Sequence, residues 1–241
     1  MIKTACILAA GRGTRLGARG KETPKGFLRV GQDPIIEESL RRLEAHGIER
    51  TVIVTGHLRE YYREWAADRA ERVTLVHNES FAESGSLYSL WCAREELREP
   101  YLLLESDLIY ESRAIGICQK DPRHSLVLVS GPTQADDEVW VETDGEQLVA
   151  MSKKRDELGE QVLGEFVGVC KIGADLHAAL MDYSESVFKE SFYKDYETDG
   201  LVQAASKVPV PCRLIPDLAW AEIDTAEHLA RAREAVYPKI G

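Results

Sequence analysis

The stretch Leu8-Ala9-Ala10-Gly11-Arg12-Gly13-Thr14-Arg15-Leu16 follows a short apolar run, Lys3 to Ala9, and its reading decides the fold. A buried strand that ends in glycines opens into a loop. There the backbone can approach phosphate oxygens closely and unpaired N–H groups can cradle them. The plain alternative is a Gly-rich turn between strand and helix. The dinucleotide fingerprint GxGxxG fits badly, because Leu16 stands where a third small residue is needed. Thr55-Gly56-His57 stands where an acid should end the second strand. A Walker A loop is excluded by the absence of GK[ST].

Outward from this loop the chain alternates between two periodicities. Pro34 to His46 reads as a helix through Ile36, Leu40 and Leu43, with Pro34 at its start and Gly47 at its stop. Thr51 to Thr55 is a strand, Leu58 to Arg69 a helix, Val73 to His77 a strand and Leu87 to Leu97 a helix. Tyr101 to Ser106 is apolar on both faces, which suits a central parallel strand covered by helices. Beyond Asp107 the pattern changes. Ser125 to Ser130 is a strand, and Glu138 to Thr143 and Gln147 to Met151 flank the hairpin signal Asp144-Gly145. Glu165 to Ile172 and Leu218 to Ile223 are further strands. Helical segments are expected near Ala174 to Tyr183, Tyr196 to Lys207 and Thr225 to Val236. The expected fold is α/β: a doubly wound, mostly parallel mixed sheet flanked by helices, with its ligand crevice at the strand carboxyl ends. One domain is expected over 1–241, with a nucleotide-binding half to about 107 and an acceptor-binding half beyond.

The bulk numbers restrict the partners. A chain of 241 residues with 44% hydrophobic and 29% charged residues can bury a core without disulfides. No apolar run is long enough to span a membrane, and Met1 to Leu8 lacks the regions of a signal peptide. Five scattered cysteines without a CxxC pair suggest free thiols in a reducing cytoplasm. The net charge of −11 disfavours nucleic acid and anionic membranes. Against this background, Arg12, Arg15, Arg19, Lys21, Lys25 and Arg29 fall within one short stretch that holds a single acid, Glu22. Such a local excess suits a small polyanion.

Two aspartates stand after strands: Asp107 beyond Tyr101 to Ser106, and Asp224 beyond Leu218 to Ile223. Carboxylates so placed can converge on Mg²⁺, a hard cation that takes one or two of them besides phosphate oxygens and water. Asp224-Thr225-Ala226-Glu227 is equally acceptable as a helix N-cap. Ser84-Gly85-Ser86 opens a helix and offers N–H donors and hydroxyls, to a base or simply to the cap. Asp136, Asp137 and Glu138 form an acidic run near Trp140, and Lys153, Lys154 and Arg155 a basic run after the hairpin. Either run could be a solvated turn.

Gly11-x-Gly13-Thr14-Arg15 followed by Pro24-Lys25 resembles the signature of nucleotidyltransferases that join an NTP to a phosphorylated small molecule. The likeness continues through Gly85-Ser86-Leu87, Glu105-Ser106-Asp107-Leu108-Ile109-Tyr110, Ser152-Lys153-Lys154-Arg155-Asp156 and Glu222-Ile223-Asp224. These are similar to cytidylyltransferases of the phosphocholine and 2-aminoethylphosphonate type. The resemblance implies a reaction of CTP with a small phosphonate, releasing pyrophosphate with Mg²⁺ as cofactor. It implies that Arg15 and Lys25 act on the phosphates and that Asp107 and Asp224 hold the metal. Leu8, Ala10, Gly11, Arg12, Gly13, Thr14, Ser84, Gly85, Ser86 and Ser106 would bind the nucleotide. The composition of the two charged runs suggests Asp136, Asp137, Trp140 and Lys153 for the acceptor. No catalytic histidine is expected, since a phosphonate oxygen is already ionised near neutral pH; His57, His77 and His177 read as packing or surface residues. Phosphocholine as acceptor, a sugar 1-phosphate as acceptor, and a nucleotide-binding regulator without turnover remain as alternatives.

Overall fold

The computed structural model describes residues 1–240. Eleven strands form: β1 (Thr4–Ala9), β2 (Arg50–Thr55), β3 (Val73–His77), β4 (Tyr101–Glu105), β5 (Leu108–Tyr110), β6 (Leu126–Ser130), β7 (Trp140–Asp144), β8 (Gln147–Ser152), β9 (Val162–Ile172), β10 (Cys212–Ile215) and β11 (Trp220–Glu222). The helices are α1 (Ala18–Glu22), α2 (Ile35–Ala45), α3 (Arg59–Ala66), α4 (Ser86–Cys92), α5 (Arg113–Lys120), α6 (Ala174–Val187), α7 (Val202–Ala205), α8 (Ala226–Arg231) and α9 (Tyr237–Ile240). A π-helical turn, Tyr196–Leu201, leads into α7, and another, Ala232–Val236, joins α8 to α9.

The main sheet runs in the order β10-β6-β9-β4-β1-β2-β3, and the β7–β8 hairpin joins it through β9. The pairs β4–β1, β1–β2 and β2–β3 are parallel, as the sequence suggests for the first half. β9 lies antiparallel between β4 and β6 and so closes both halves into one sheet. Alternation sends successive side chains to opposite layers. Leu102 and Leu104 pack with Ile7 and Ile53 in one, while Leu103 packs with Cys6 and Val52 in the other. Three elements escape the sequence reading. The short β5 pairs with β11 in a separate antiparallel ribbon, β10 adds a parallel edge to β6, and α5 lies between β5 and β6. The late helices are also shorter and more broken than their periodicity implies.

The ribbon matters most for function. Strand β4 ends at Glu105, Ser106 and Asp107 form a turn, and β5 departs. The Ser106 N–H donates to the Leu8 carbonyl at 3.0 Å, and the Ile223 N–H to the Asp107 carbonyl at 3.2 Å. These two bonds place the end of β1, the β4–β5 turn and the exit of β11 at one point on the sheet's carboxyl edge. A third cluster, including Leu16, Leu28, Ile109, Ile223 and Leu229, packs the glycine loop's continuation against the ribbon and α8.

Candidate functional site

Two adjoining cavities open at this edge. The larger, about 320 Å³, is walled by Leu8, Ala9, Ala10 and Gly11, by Ser84, Gly85 and Ser86, by Ser106 and Asp107, and by Arg15 and Lys25. Arg12, Gly13 and Thr14 do not line it; Arg12 is exposed, and Gly13 turns the chain at φ 59°. Gly20 packs against that turn so closely that a Cβ there would lie 2.0 Å from the Gly13 carbonyl oxygen. Arg19, Lys21 and Arg29 are likewise exposed and outside the cavity, so only two of the six clustered cations reach it. The opposite wall depends on Gly85, whose Cβ would lie 2.2 Å from the Lys194 carbonyl oxygen. The Gly85 N–H donates to Phe192 O and the Leu87 N–H to Lys194 O, so segment 192–195 backs the start of α4.

Lys25 is the geometric centre. Its Nζ donates to Asp107 Oδ2 at 2.6 Å and also to Asp224 Oδ1. Arg15 pairs with the other oxygen of Asp224 at 2.5 Å. The helical turn Lys25–Phe27 is anchored by the Phe27 ring, whose centroid lies 5.5, 5.0 and 6.4 Å from those of Tyr61, Tyr62 and Trp65. Asp224 is not the cap of α8. Thr225 takes that role, its Oγ1 accepting from the His228 N–H at 3.1 Å, which leaves the aspartate wholly to the site.

More acids gather here than the sequence reading named. One carboxylate oxygen each of Glu105, Asp107 and Glu222 lies within 4.8 Å of the others, as do those of Asp137, Glu222 and Asp224. Burial alone would weaken the Lys25 ammonium, but the carboxylates of Asp107, Asp224 and Glu222 outweigh it and hold its pKa above the ordinary value. Burial likewise opposes ionisation of Asp224, yet Lys25 and Arg15 hold its pKa below the usual carboxylate range. Glu222 is pushed well up by burial and then by Glu105, Asp107 and Asp224. Oxygen donors of this density suit a small hard cation. The Lys25 ammonium already occupies the position of a positive charge between two of them, so these residues fit a divalent metal.

The second cavity, about 80 Å³, adjoins the first and shares Arg15, Glu105, Lys153, Glu197 and Glu222 with it. Beyond this junction it is walled by Thr133, Asp137, Glu165, Phe166, Trp220 and Arg231, among others. Asp137 and Lys153 are thus brought into it. Asp136 and Trp140 line neither cavity: Asp136 is exposed in a left-handed turn at φ 68°, and Trp140 sits at the start of β7, at the hairpin's margin. Lys154 and Arg155 are spent outward, on Glu157 and on the Gly159 carbonyl. Glu197 is pushed up to about 7 by burial and then by Asp195. Glu165, only 2% exposed, accepts from the Thr133 N–H at 2.7 Å and its hydroxyl at 2.9 Å; burial still pushes its pKa up to about 7. His57 and His77 bind backbone carbonyls and His177 binds the Tyr101 hydroxyl. His228 was missed: its Nδ1 lies 3.3 Å from Asp137 Oδ2. No sequence signal marks Glu165, Glu197 or His228: Glu165 is a lone acid in a strand, Glu197 one of several acids in a polar turn, and His228 one of several polar residues in a short helix.

Residues 5–116 match the MobA-like NTP transferase domain. The chain is 29% identical over 236 residues to the CMP-5'-(3-aminopropyl)phosphonate synthase of Streptomyces rubellomurinus, covering 91% of this chain and 36% of that protein. It is 27% identical over 231 residues to the 2-aminoethylphosphonate cytidylyltransferase of Lancefieldella rimae, covering 94% and 90%. Several curated relatives are longer, and the chain spans only 36% to 49% of their length. Among solved structures, the inositol-1-phosphate CTP transferase of T. maritima superposes with a TM-score of 0.78 at 20% identity, covering 98% of each chain. These homologues and structural neighbours are nucleotidyltransferases, and the fold is theirs.

The raised pKa of Glu165 makes a stability prediction. A carboxyl whose folded pKa lies above its unfolded value of 4.5 contributes stability that is full below that value. The contribution is lost as pH rises through about 7. Glu165→Gln cannot ionise. Its melting temperature relative to wild type should therefore rise between pH 5 and pH 8; a difference constant across that range would contradict the assignment.

Proposed function

From the premise that residues 5–116 form a MobA-like NTP transferase domain, we propose that this protein is a cytidylyltransferase. It joins CTP to a small aminoalkyl phosphonate, with 2-aminoethylphosphonate the best candidate, and releases pyrophosphate. The observation that carries the reading is the meeting of Lys25 and Asp107, which line the cavity walled by the glycine loop, with Asp224, which lines the adjoining cavity. A protein that merely bound a nucleotide would need no such cluster at the triphosphate end. The larger cavity takes CTP, with the backbone of Leu8, Ala10 and Gly11 on one side and Ser84, Gly85 and Ser86 on the other. The smaller cavity takes the acceptor, so the two halves of the chain divide the substrates between them. Five cysteines, none in a disulfide, accord with work in a reducing cytoplasm.

In the reaction a phosphonate oxygen attacks the α-phosphorus of CTP in line. A new P–O bond forms, and the bond to the β-phosphate oxygen breaks with its electron pair leaving on pyrophosphate. Transfer of this kind needs positioning and positive charge more than a covalent nucleophile. Lys25 and Arg15 turn from the carboxylates to the phosphates and stabilise charge on the reacting and departing groups. Asp107, Asp224 and Glu222 are the residues that would hold Mg²⁺, which supplies charge neutralisation on the CTP oxygens when bound. Lys153, at the junction of the cavities, meets the phosphonate. The surplus of carboxylates beyond it favours an acceptor with a cationic end over a neutral sugar phosphate. A primary ammonium pairs well with carboxylates, whereas a trimethylammonium favours an aromatic cage, and only Phe166 and Trp220 are aromatic in this lining.

Pyrophosphate release with the four NTPs and a panel of acceptors tests the reading. Lys25→Ala should lower kcat about 10²-fold or more, with a smaller loss in CTP affinity, on the scale of losing one preorganised charge donor; turnover within a few-fold of wild type would refute its role. Asp107→Asn and Asp224→Asn should each abolish metal-dependent turnover with the melting temperature largely kept, and full activity at ordinary Mg²⁺ would remove that residue from the site. For the acceptor, kcat/KM should favour 2-aminoethylphosphonate over phosphocholine. Asp137→Ala should harm the amino acceptor more than its hydroxyethyl analogue, and Lys153→Ala should harm both. Preference for phosphocholine, or equal losses with Asp137→Ala, would refute this acceptor pocket and leave nucleotidyl transfer standing.

A further inference from the structure

Three cations in the stretch 12–29 are spent on nothing inside the protein. Arg15 and Lys25 make the only ion pairs of that stretch among the described residues. Arg29 is bent back to the Gln32 carbonyl at 2.6 Å. Arg12, Arg19 and Lys21 are exposed, and none of them lines either cavity of the site. Glu22, also exposed, is the one acid beside them, so an excess of positive charge is left facing solvent.

Glycine packing fixes where this excess stands. A Cβ on Gly13 would lie 3.6 Å from both the Gly20 Cα and the Lys25 Cγ, so α1 is laid against the same turn of the glycine loop that abuts Lys25. The Gly20 carbonyl lies 3.2 Å from His57 Nε2, and the Tyr61 hydroxyl donates to the Glu22 carbonyl at 2.7 Å; these contacts tie α1 to the loop after β2 and to α3. Gly20 is buried, and its neighbours Arg19 and Lys21 are turned to solvent on either side of it. The charge is thus held beside the wall of the larger cavity. An approaching polyanion meets little other attraction. The chain carries a net charge of −11, and the charges of Lys25 and Arg15 are largely cancelled at a distance by Asp107 and Asp224 in contact with them.

We propose that Arg12, Arg19 and Lys21 form a collecting surface for the nucleotide triphosphate, which draws it from solution to the larger cavity and is not part of the bound complex. A field of this kind acts on the rate of encounter and fades as salt screens it. It reads charge rather than base, and it overcomes the repulsion of an acidic protein along one path of approach. The affinity of the filled site is left to the residues that line the cavity. This deepens, and rests on, the reading of the larger cavity as a triphosphate site.

Arg19→Gln with Lys21→Gln removes two of these charges at exposed positions, and Arg19→Glu with Lys21→Glu reverses them. Stopped-flow binding of a fluorescent, ribose-labelled CTP at fixed Mg²⁺ gives the on-rate and the off-rate separately. The wild-type on-rate should fall about tenfold as added salt shortens the screening length from about 30 Å to about 8 Å. The double Gln variant should lose about tenfold in on-rate at low salt, with its off-rate and its kcat at saturating CTP unchanged. The double Glu variant should lose more, and its on-rate should rise with salt, because the protein's own negative charge is then what salt screens. Unchanged melting temperatures should accompany both. A raised off-rate with an unchanged on-rate would mean that these side chains hold the bound nucleotide, and would overturn the inference. So would a wild-type on-rate indifferent to salt, or equal on-rates in all three proteins; in either case pyrophosphate release would still support nucleotidyl transfer. A wild type that binds no CTP at any salt would remove the cytidylyltransferase reading as well.

Discussion

The ammonium of Lys25 between Asp107 and Asp224 is the contact on which the site depends. The three residues come from the loop after β1, the β4–β5 turn and the exit of β11, and the ion pairs join them across 82 and 199 positions of chain. Buried carboxylates repel one another, and desolvation adds to the cost of their charges. The lysine offsets both. The turn that carries it is anchored by Phe27, which packs against three aromatic rings.

That arrangement sets a hierarchy among the acids. Asp224 is held ionised by Lys25 and Arg15, whereas burial and mutual repulsion push Glu105, Glu197 and Glu222 towards their protonated forms. The edge of the sheet is therefore a graded field. It is firmly charged where cations reach it and close to neutral deeper in, and an arriving cation can draw charge out of the deeper groups.

Much of this was legible in the sequence, because its strongest signals are local. A strand running into glycines, a helix that starts at a proline, and an apolar stretch such as Leu102 to Leu104 declare themselves within a few residues. Asp107 and Asp224 could be picked out because each follows a strand, and Lys25 because it stands in the basic run and in the Pro24-Lys25 pair that resembles the nucleotidyltransferase signature. Strand β5 is only three residues long, and β10 carries exposed Arg213 and Leu214 at an edge, so neither has a readable period. Glu165 and Glu197 were invisible, and Glu222, though part of a quoted motif, had no role assigned, for a different reason. A single acid in a strand or a turn normally faces water, and only the packing of β9, the π-helical turn and β11 around one point turns these inward. Asp136 and Trp140 illustrate the converse. Neighbours in sequence to Asp137, they are carried away from the cavity by a left-handed turn and by the margin of the hairpin.

The insertion of β9 between β4 and β6 has a consequence for synthesis. A ribosome delivers β1 to β4 first, and these can pair among themselves in the parallel order seen here. Strand β4 then waits, with one row of amides and carbonyls unpaired, until residues 162–172 emerge to cover it. Until that moment the nascent chain displays an open, apolar edge of the kind that recruits other strands. This particular edge is open from the translation of Glu105 to that of Ile172, and it closes when a strand from the second half is threaded beside β4.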